Sequence, residues 1–233
     1  RAGTVFEGRK EDIGIWPRVL DSGRATLPMI EQSLTFFTGA YHLIGDDGQL
    51  QRLPLPESAG MAGFYAGRIL FTLRDAWEVA GRTYSQGALL GIDAAAFRVT
   101  GELPRIETVY TPDERTSIEG VAVSRSGLYV TLLQNVKGRL LRFGVDADSG
   151  KWSAEPLPLP PNGTVSLSAA NPHSETVLVN YEDHITPDRL SEYDAGGNAL
   201  TLLKSLPARF RADDLQVSQH MAGSADGELV PYF

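Results

Sequence analysis

Four of the seven Leu-Pro pairs in this chain fall at nearly even intervals, and that spacing narrows what it can fold into. Leu53-Pro54, Leu103-Pro104, Leu157-Pro158 and Leu206-Pro207 carry prolines 50, 54 and 49 residues apart. Three of the pairs close the same phrase: an apolar run, a glycine-containing turn, and a second run that ends in Leu-Pro. The phrases are YHLIGDDGQLQRLPLP from Tyr41, LLRFGVDADSGKWSAEPLPLP from Leu140 and LSEYDAGGNALTLLKSLP from Leu190. A hairpin returning about every 50 residues among other short strands marks propeller blades rather than a sandwich, since each blade must stack on its neighbours to bury its faces.

The remainder of each period supplies further strands. Arg68–Leu73, Ala88–Ile92, Val121–Val123, Leu128–Val136 and Val177–Tyr181 are β-branched or leucine-rich and bounded by Gly, Asp or Ser. In Leu128–Val136 both faces are largely apolar: Leu128, Val130, Leu132 and Val136 fall on one, Tyr129, Thr131 and Leu133 on the other. A strand whose sheet lies between two other sheets reads this way. Helical periodicity is confined to Asp93–Val99, about two turns. The expected fold is all-β, with about four visible four-stranded blades over residues 1–213.

Residues 214–233 read differently. Leu215–Met221 alternates apolar and polar residues, Ser224–Gly227 is a Ser-Ala-Asp-Gly turn, and Leu229–Phe233 is a second apolar run. The pattern predicts a hairpin that leads into a further domain, because Phe233 has nothing after it to pack against. Arg1 in place of Met adds to the impression of a chain taken from a longer one.

Composition removes several function classes. A net charge of -8 with no basic run argues against nucleic acid or an anionic membrane surface as partner; Arg209 and Arg211 are the densest pair near the tail. Zero cysteines excludes disulfides, thiolate metal sites and cysteine nucleophiles. No apolar stretch approaches the roughly 18 residues of a membrane span, and compartment stays undecided between cytoplasm and periplasm.

No residue set in the chain carries the pattern of a catalytic, metal or cofactor site. A serine hydrolase on an α/β scaffold needs G-x-S-x-G to present its hydroxyl, and the motif does not occur. Ser224, with His220 before it and Asp226 after it, lies in a hairpin without an oxyanion hole and reads as a turn serine. His42, His173, His184 and His220 are scattered, and Asp183-His184 is a lone pair better suited to a loop hydrogen bond. Asp146-Ala147-Asp148-Ser149-Gly150 echoes the start of a calcium loop, but Pro158 stands near the place of its closing acid. Asp46-Asp47-Gly48 is a turn, and Asn162-Gly163-Thr164 matches a glycosylation triplet that an Asn-Gly turn explains as well. Trp16, Trp77 and Trp152 occupy unmatched places in the repeat, which favours packing over a repeated sugar platform.

Several stretches resemble the β-propeller of prolyl oligopeptidase family serine peptidases. They are LFTLRDAWEVAGRTYSQGALLGID (Leu70–Asp93), YTPDERTSIEGVAV (Tyr110–Val123), LLQNVKGRLLRF (Leu132–Phe143), LLKSLPARF (Leu202–Phe210) and VSQHMAGSADGELVPYF (Val217–Phe233). The W-E-V-x-G-x-x-Y core of the first and the S-x-D-G-x-x-V-P-Y-F of the last are the most specific; Ala225 and Glu228 depart from related chains on the turn. The resemblance implies a seven-bladed propeller that covers a Ser-Asp-His hydrolase domain, admits short peptides and excludes folded proteins. By the same resemblance, this chain is the C-terminal portion of such a propeller without its α/β-hydrolase partner domain. The acidic balance would favour basic peptides. The rival is a stand-alone four-bladed binding or lectin-like propeller. With Leu200, Leu202, Leu203 and Leu206 read as an uncapped final blade, self-association through open blade faces is expected.

Overall fold

The computed structural model describes residues 3–146 and 149–233, so the Asp146–Gly150 stretch lies partly outside the described residues. Among the described residues, twenty strands form four antiparallel four-stranded sheets and two small ribbons. The first sheet runs in chain order through β1 (Gly14–Asp21), β2 (Thr26–Ser33), β3 (Gly39–Ile44) and β4 (Leu50–Arg52). The second joins β5 (Ala59–Tyr65), β6 (Arg68–Leu73), β9 (Leu89–Asp93) and β10 (Ile106–Tyr110). A ribbon of β7 (Trp77–Val79) and β8 (Arg82–Tyr84) interrupts it after β6, and helix α1 (Ala94–Thr100) follows β9. The third sheet is β11 (Thr116–Ser124), β12 (Gly127–Gln134), β13 (Lys137–Val145) and β14 (Trp152–Pro156). The fourth is β15 (Thr164–Ala170), β16 (Val177–Glu182), β17 (Arg189–Asp194) and β18 (Ala199–Ser205), followed by a ribbon of β19 (His220–Gly223) and β20 (Leu229–Tyr232).

The Leu-Pro pairs have a hydrogen-bonding explanation. In three sheets the leucine N–H donates the last bond from the fourth strand to the third: Leu53 to Tyr41 O, Leu157 to Leu140 O and Leu206 to Asp188 O, at 2.8–2.9 Å. The proline after it has no N–H to give, so the ladder stops there. Leu53 and Leu157 are also buried. The second sheet breaks the pattern: α1 stands between its third and fourth strands, and Leu103-Pro104 precedes β10 instead of following it. Asp93 caps α1 by accepting from Ala96 N–H, and Gly101 closes it in the left-handed conformation.

Bulges recur as well. The first strand carries an irregularity in three sheets, between Met61 and Gly63, between Ile118 and Gly120, and between Leu167 and Ala169. Each adds twist to the edge strand.

Two compact units divide the chain, Arg1–Thr111 and Pro112–Phe233. In the first, Met29, Tyr41, Leu43 and Leu53 pack with Phe64, Ile69, Phe71, Leu90 and Ile92, and Phe97 of α1 joins them. Trp77 belongs to this packing, 6.2 Å edge-on from Phe71. In the second, Tyr129, Leu140 and Leu157 pack with Val165, Val177, Val179, Tyr181 and Tyr193. Tyr129 and Tyr193 meet edge-to-face at 6.1 Å.

Three expectations need correction. Trp16 is not a packing residue; it is 54% exposed on β1. The alternation over Leu215–Met221 does not make a strand, which begins only at His220, because the preceding segment spends its backbone on loop contacts instead of a ladder. The leucines of β18 do not form the uncovered face of the last sheet. Register places Leu200 opposite Tyr193 and Leu202 opposite Ser191, on the face that Tyr193 turns to the core. The other face presents Ser166, Asn180, Glu192, Thr201 and Lys204 with Leu178 and Leu190 among them, and is mixed, while Leu202 and Leu203 stay 55% and 46% exposed at the edge.

Candidate functional site at the sheet-connecting loops

In the second unit, the tail lies against the loops at one end of the third and fourth sheets. Asn162, in the β14–β15 connection, donates its Nδ2 to Val217 O at 3.0 Å. Gln219 donates its Nε2 to Asn135 O, in the β12–β13 turn, at 2.7 Å. The Phe233 ring rests 5.1 Å from that of His184, in the β16–β17 loop. Phe233 keeps this ring contact while remaining 41% exposed. Val136, Asn162, Thr164, Asp183, His184 and Phe233 line a cavity of about 370 Å³.

Local geometry fixes each wall. Asn135 and Val136 form the two-residue turn between β12 and β13, both with positive φ (48° and 62°). The chain's other turns of this kind, Ala66-Gly67 and Ala80-Gly81, place glycine second; a β-branched residue there is strained. Gly163 fits where nothing larger would, since a Cβ on it would strike Glu182 O and the Tyr181 ring. Its carbonyl accepts from Gly138 N–H at 2.8 Å, tying the third sheet to the connection.

Asp183 organises the β16–β17 loop. It accepts from Ile185 N–H at 2.9 Å, Thr186 N–H at 2.6 Å and the Tyr181 phenol at 2.8 Å. Burial works against its ionised form, but these donors hold the carboxyl below the ordinary range. The Tyr181 phenol is pushed up, by burial first and then by its bond to Asp183.

The candidate residues are not brought together. Ser224 closes the β19–β20 turn by accepting from Gly227 N–H and donating its own N–H to Glu228 O, and its hydroxyl bonds to Asp226. The His220 ring lies against Tyr232, at 5.6 Å. His42 is part-buried beside Phe6 and Gln32 in the first unit, and burial lowers its pKa with help from Arg52. The His173 carbonyl accepts from Arg125. Asp47 caps its own turn through Gln49 N–H. Among the described residues no cluster of His, Asp and Glu could hold a metal ion, and no helix is long and apolar enough to cross a membrane. The tail contacts through Asn162 and Gln219 escaped the sequence because their partners lie 55 and 84 positions away.

Comparison with known proteins places these sheets. The family described as prolyl oligopeptidase, N-terminal beta-propeller domain, matches residues 95–206. An uncharacterized peptidase, y4nA, of Sinorhizobium fredii is 32% identical over 241 residues, covering 100% of this chain and 33% of the relative. Residues 95–206 carry propeller sequence of the prolyl oligopeptidase family. A post-proline cleaving enzyme from Rickettsia typhi superposes with a TM-score of 0.81 at 18% identity, over 97% of this chain and 33% of that one. Oligopeptidase B from Leishmania major gives 0.65 at 14% identity, over 93% and 31%. The chain thus spans about a third of the length of the relatives it matches, and its four sheets share the all-β propeller fold of these structures.

Proposed function

We propose that this chain is the access-controlling propeller part of a prolyl oligopeptidase-like serine peptidase. Its blades belong to a seven-bladed ring over a hydrolase domain; they admit short, unstructured peptides and turn folded proteins away. The acyl transfer itself belongs to a serine of that other domain. One observation carries the reading: family sequence and blade sheets coincide over residues 95–206. The S-A-D-G-E-L-V-P-Y-F phrase, which resembles the family's entry into its hydrolase domain, supports it by lying on the loop end of its own unit.

The test uses the whole protein in two forms, intact and with the blades removed. The intact form should cleave a short proline-containing peptide and spare a folded protein that carries the same sequence in a loop. Removing the blades should erase that discrimination. The 233-residue chain alone should hydrolyse neither substrate. Activity of the chain that survives purification and disappears on Ser224→Ala would place the nucleophile in the propeller and overturn the proposal.

A further inference from the structure

Two phenylalanines stand in solvent beside an arginine that has no acid to pair with among the described residues. The loop between β2 and β3 is closed on itself: Leu34 and Thr35 N–H both donate to Thr38 O. Thr35 Oγ1 accepts from Phe37 N–H at 3.1 Å and Thr38 N–H at 3.0 Å, and bonds to Thr38 Oγ1 at 2.7 Å. These bonds hold Phe36 and Phe37 outward, at 84% and 70% exposure. Water disfavours such a display, and adjacent exposed aromatics on an ordered loop are the usual anchors of a recognition surface.

Arg74, just after β6, lays its guanidinium 5.6 Å from the Phe37 ring centroid and forms no ion pair among the described residues. Across the cleft, Arg18 is neutralised by Glu31 at 2.6 Å. Two arginines against one glutamate leave these walls at +1, on a chain of -8. The floor is rigid: the buried Tyr41 phenol donates to Ala59 O and accepts from Met61 N–H, at 3.0 and 3.2 Å. The cleft holds about 220 Å³, below the roughly 300–1,000 Å³ of a whole-ligand site, so it takes a side chain or two.

We propose that this cleft is a peptide subsite that selects an acidic side chain, with the carboxylate on Arg74 and a neighbouring apolar residue against Phe36 and Phe37. A guanidinium braced on an aromatic face suits a carboxylate through paired N–H donors. A peptide's terminal carboxylate is captured by free backbone amides. Here the amides of Phe37, Thr38 and Met61 are already committed, which leaves the guanidinium as the anion donor. The selection runs opposite to the preference for basic peptides that net charge suggests. The inference rests on the peptidase reading only for how a peptide reaches the cleft.

The test is binding of fluorescein-labelled, acetylated and amidated hexapeptides to the 233-residue chain, with Leu-Glu, Leu-Gln or Leu-Lys at the centre. The Leu-Glu peptide should bind roughly three- to tenfold tighter than Leu-Gln, and added salt should narrow the gap. Arg74→Gln should bring the ratio to one, Arg74→Glu should turn the preference toward Leu-Lys, and Phe37→Ala should weaken both the Glu and Gln peptides. Arg74 and Phe37 are exposed, and circular dichroism verifies folding of each variant. Equal binding of Glu and Gln peptides, or a Glu preference that survives Arg74→Gln, overturns the inference. So does a gain from a free C-terminus that does not depend on Glu. Absence of any binding also overturns it while leaving steric access control untouched, since that needs no affinity.

Discussion

Val136 occupies a backbone conformation that its branched side chain resists, and it does so in the turn whose carbonyl anchors the tail. A left-handed L-residue costs about 1–2 kcal/mol, while glycine gives back part of that in unfolded-state entropy. Val136→Gly should therefore raise stability by about 1 kcal/mol, measured as a higher urea midpoint at constant m-value. No change, or a loss, would mean that Val136 packing against the cavity outweighs its backbone strain. Asp183 makes a second residue-scale case, with a pH signature. A carboxyl whose folded pKa is depressed contributes stability that is complete above its unfolded value, roughly 3.9, and lost as pH falls through the folded one. Asp183→Asn should lower stability at neutral pH and flatten the acid limb below about pH 4. Urea midpoints across that range, compared with the parent chain, decide it; identical acid limbs would remove Asp183 from the account.

Among the elements, what the sequence shows and what it hides divide along local and distant contacts. The repeat was readable because three of the four Leu-Pro pairs encode a local event, a last rung followed by a residue without N–H. Strands β6, β9, β12 and β16 were readable from β-branched runs, and α1 from its apolar period, with Asp93 falling at the cap rather than inside. The start of β19 was not, because Val217 O and Gln219 are engaged by residues far away in sequence. The face assignment of Leu200 and Leu202 failed for a related reason: a bulge between Leu190 and Ser191 and the register across to β17 decide which way they point. The tail ribbon itself has four residues per strand and is mostly exposed, so its order depends on the Asn162 and Gln219 bonds. Replacing both with alanine should raise amide exchange across His220–Tyr232 by tenfold or more while β12 and β16 keep their protection, about 1.4 kcal/mol of local opening. Uniform deprotection of the whole unit would instead make the tail part of the global core.

At the scale of the molecule, each unit carries its own core, and the exposed apolar residues are unevenly distributed. The uncovered face of the fourth sheet mixes Leu178 and Leu190 with Asn180, Glu192 and Thr201, whereas Leu202, Leu206 and Phe210 stand 54–60% exposed along its rim. We expect weak, reversible self-association through that rim, seen in sedimentation velocity as a concentration-dependent shift that Leu206→Glu with Phe210→Glu removes. A shift that persists in the double variant would move the contact elsewhere, for instance to Trp16 and Val19. The Leu-Pro rungs bear on what such association can become. A free strand edge is an open template, and addition of one copy after another along it is how soluble β-proteins turn into fibres. Beyond β18 the template runs out at Pro207, and Lys204 sits within the strand as a gatekeeping charge. Contact through side chains at the rim yields oligomers that dilution dissolves. Growth by continued hydrogen bonding along β18 is opposed by the same proline that gives the chain its period.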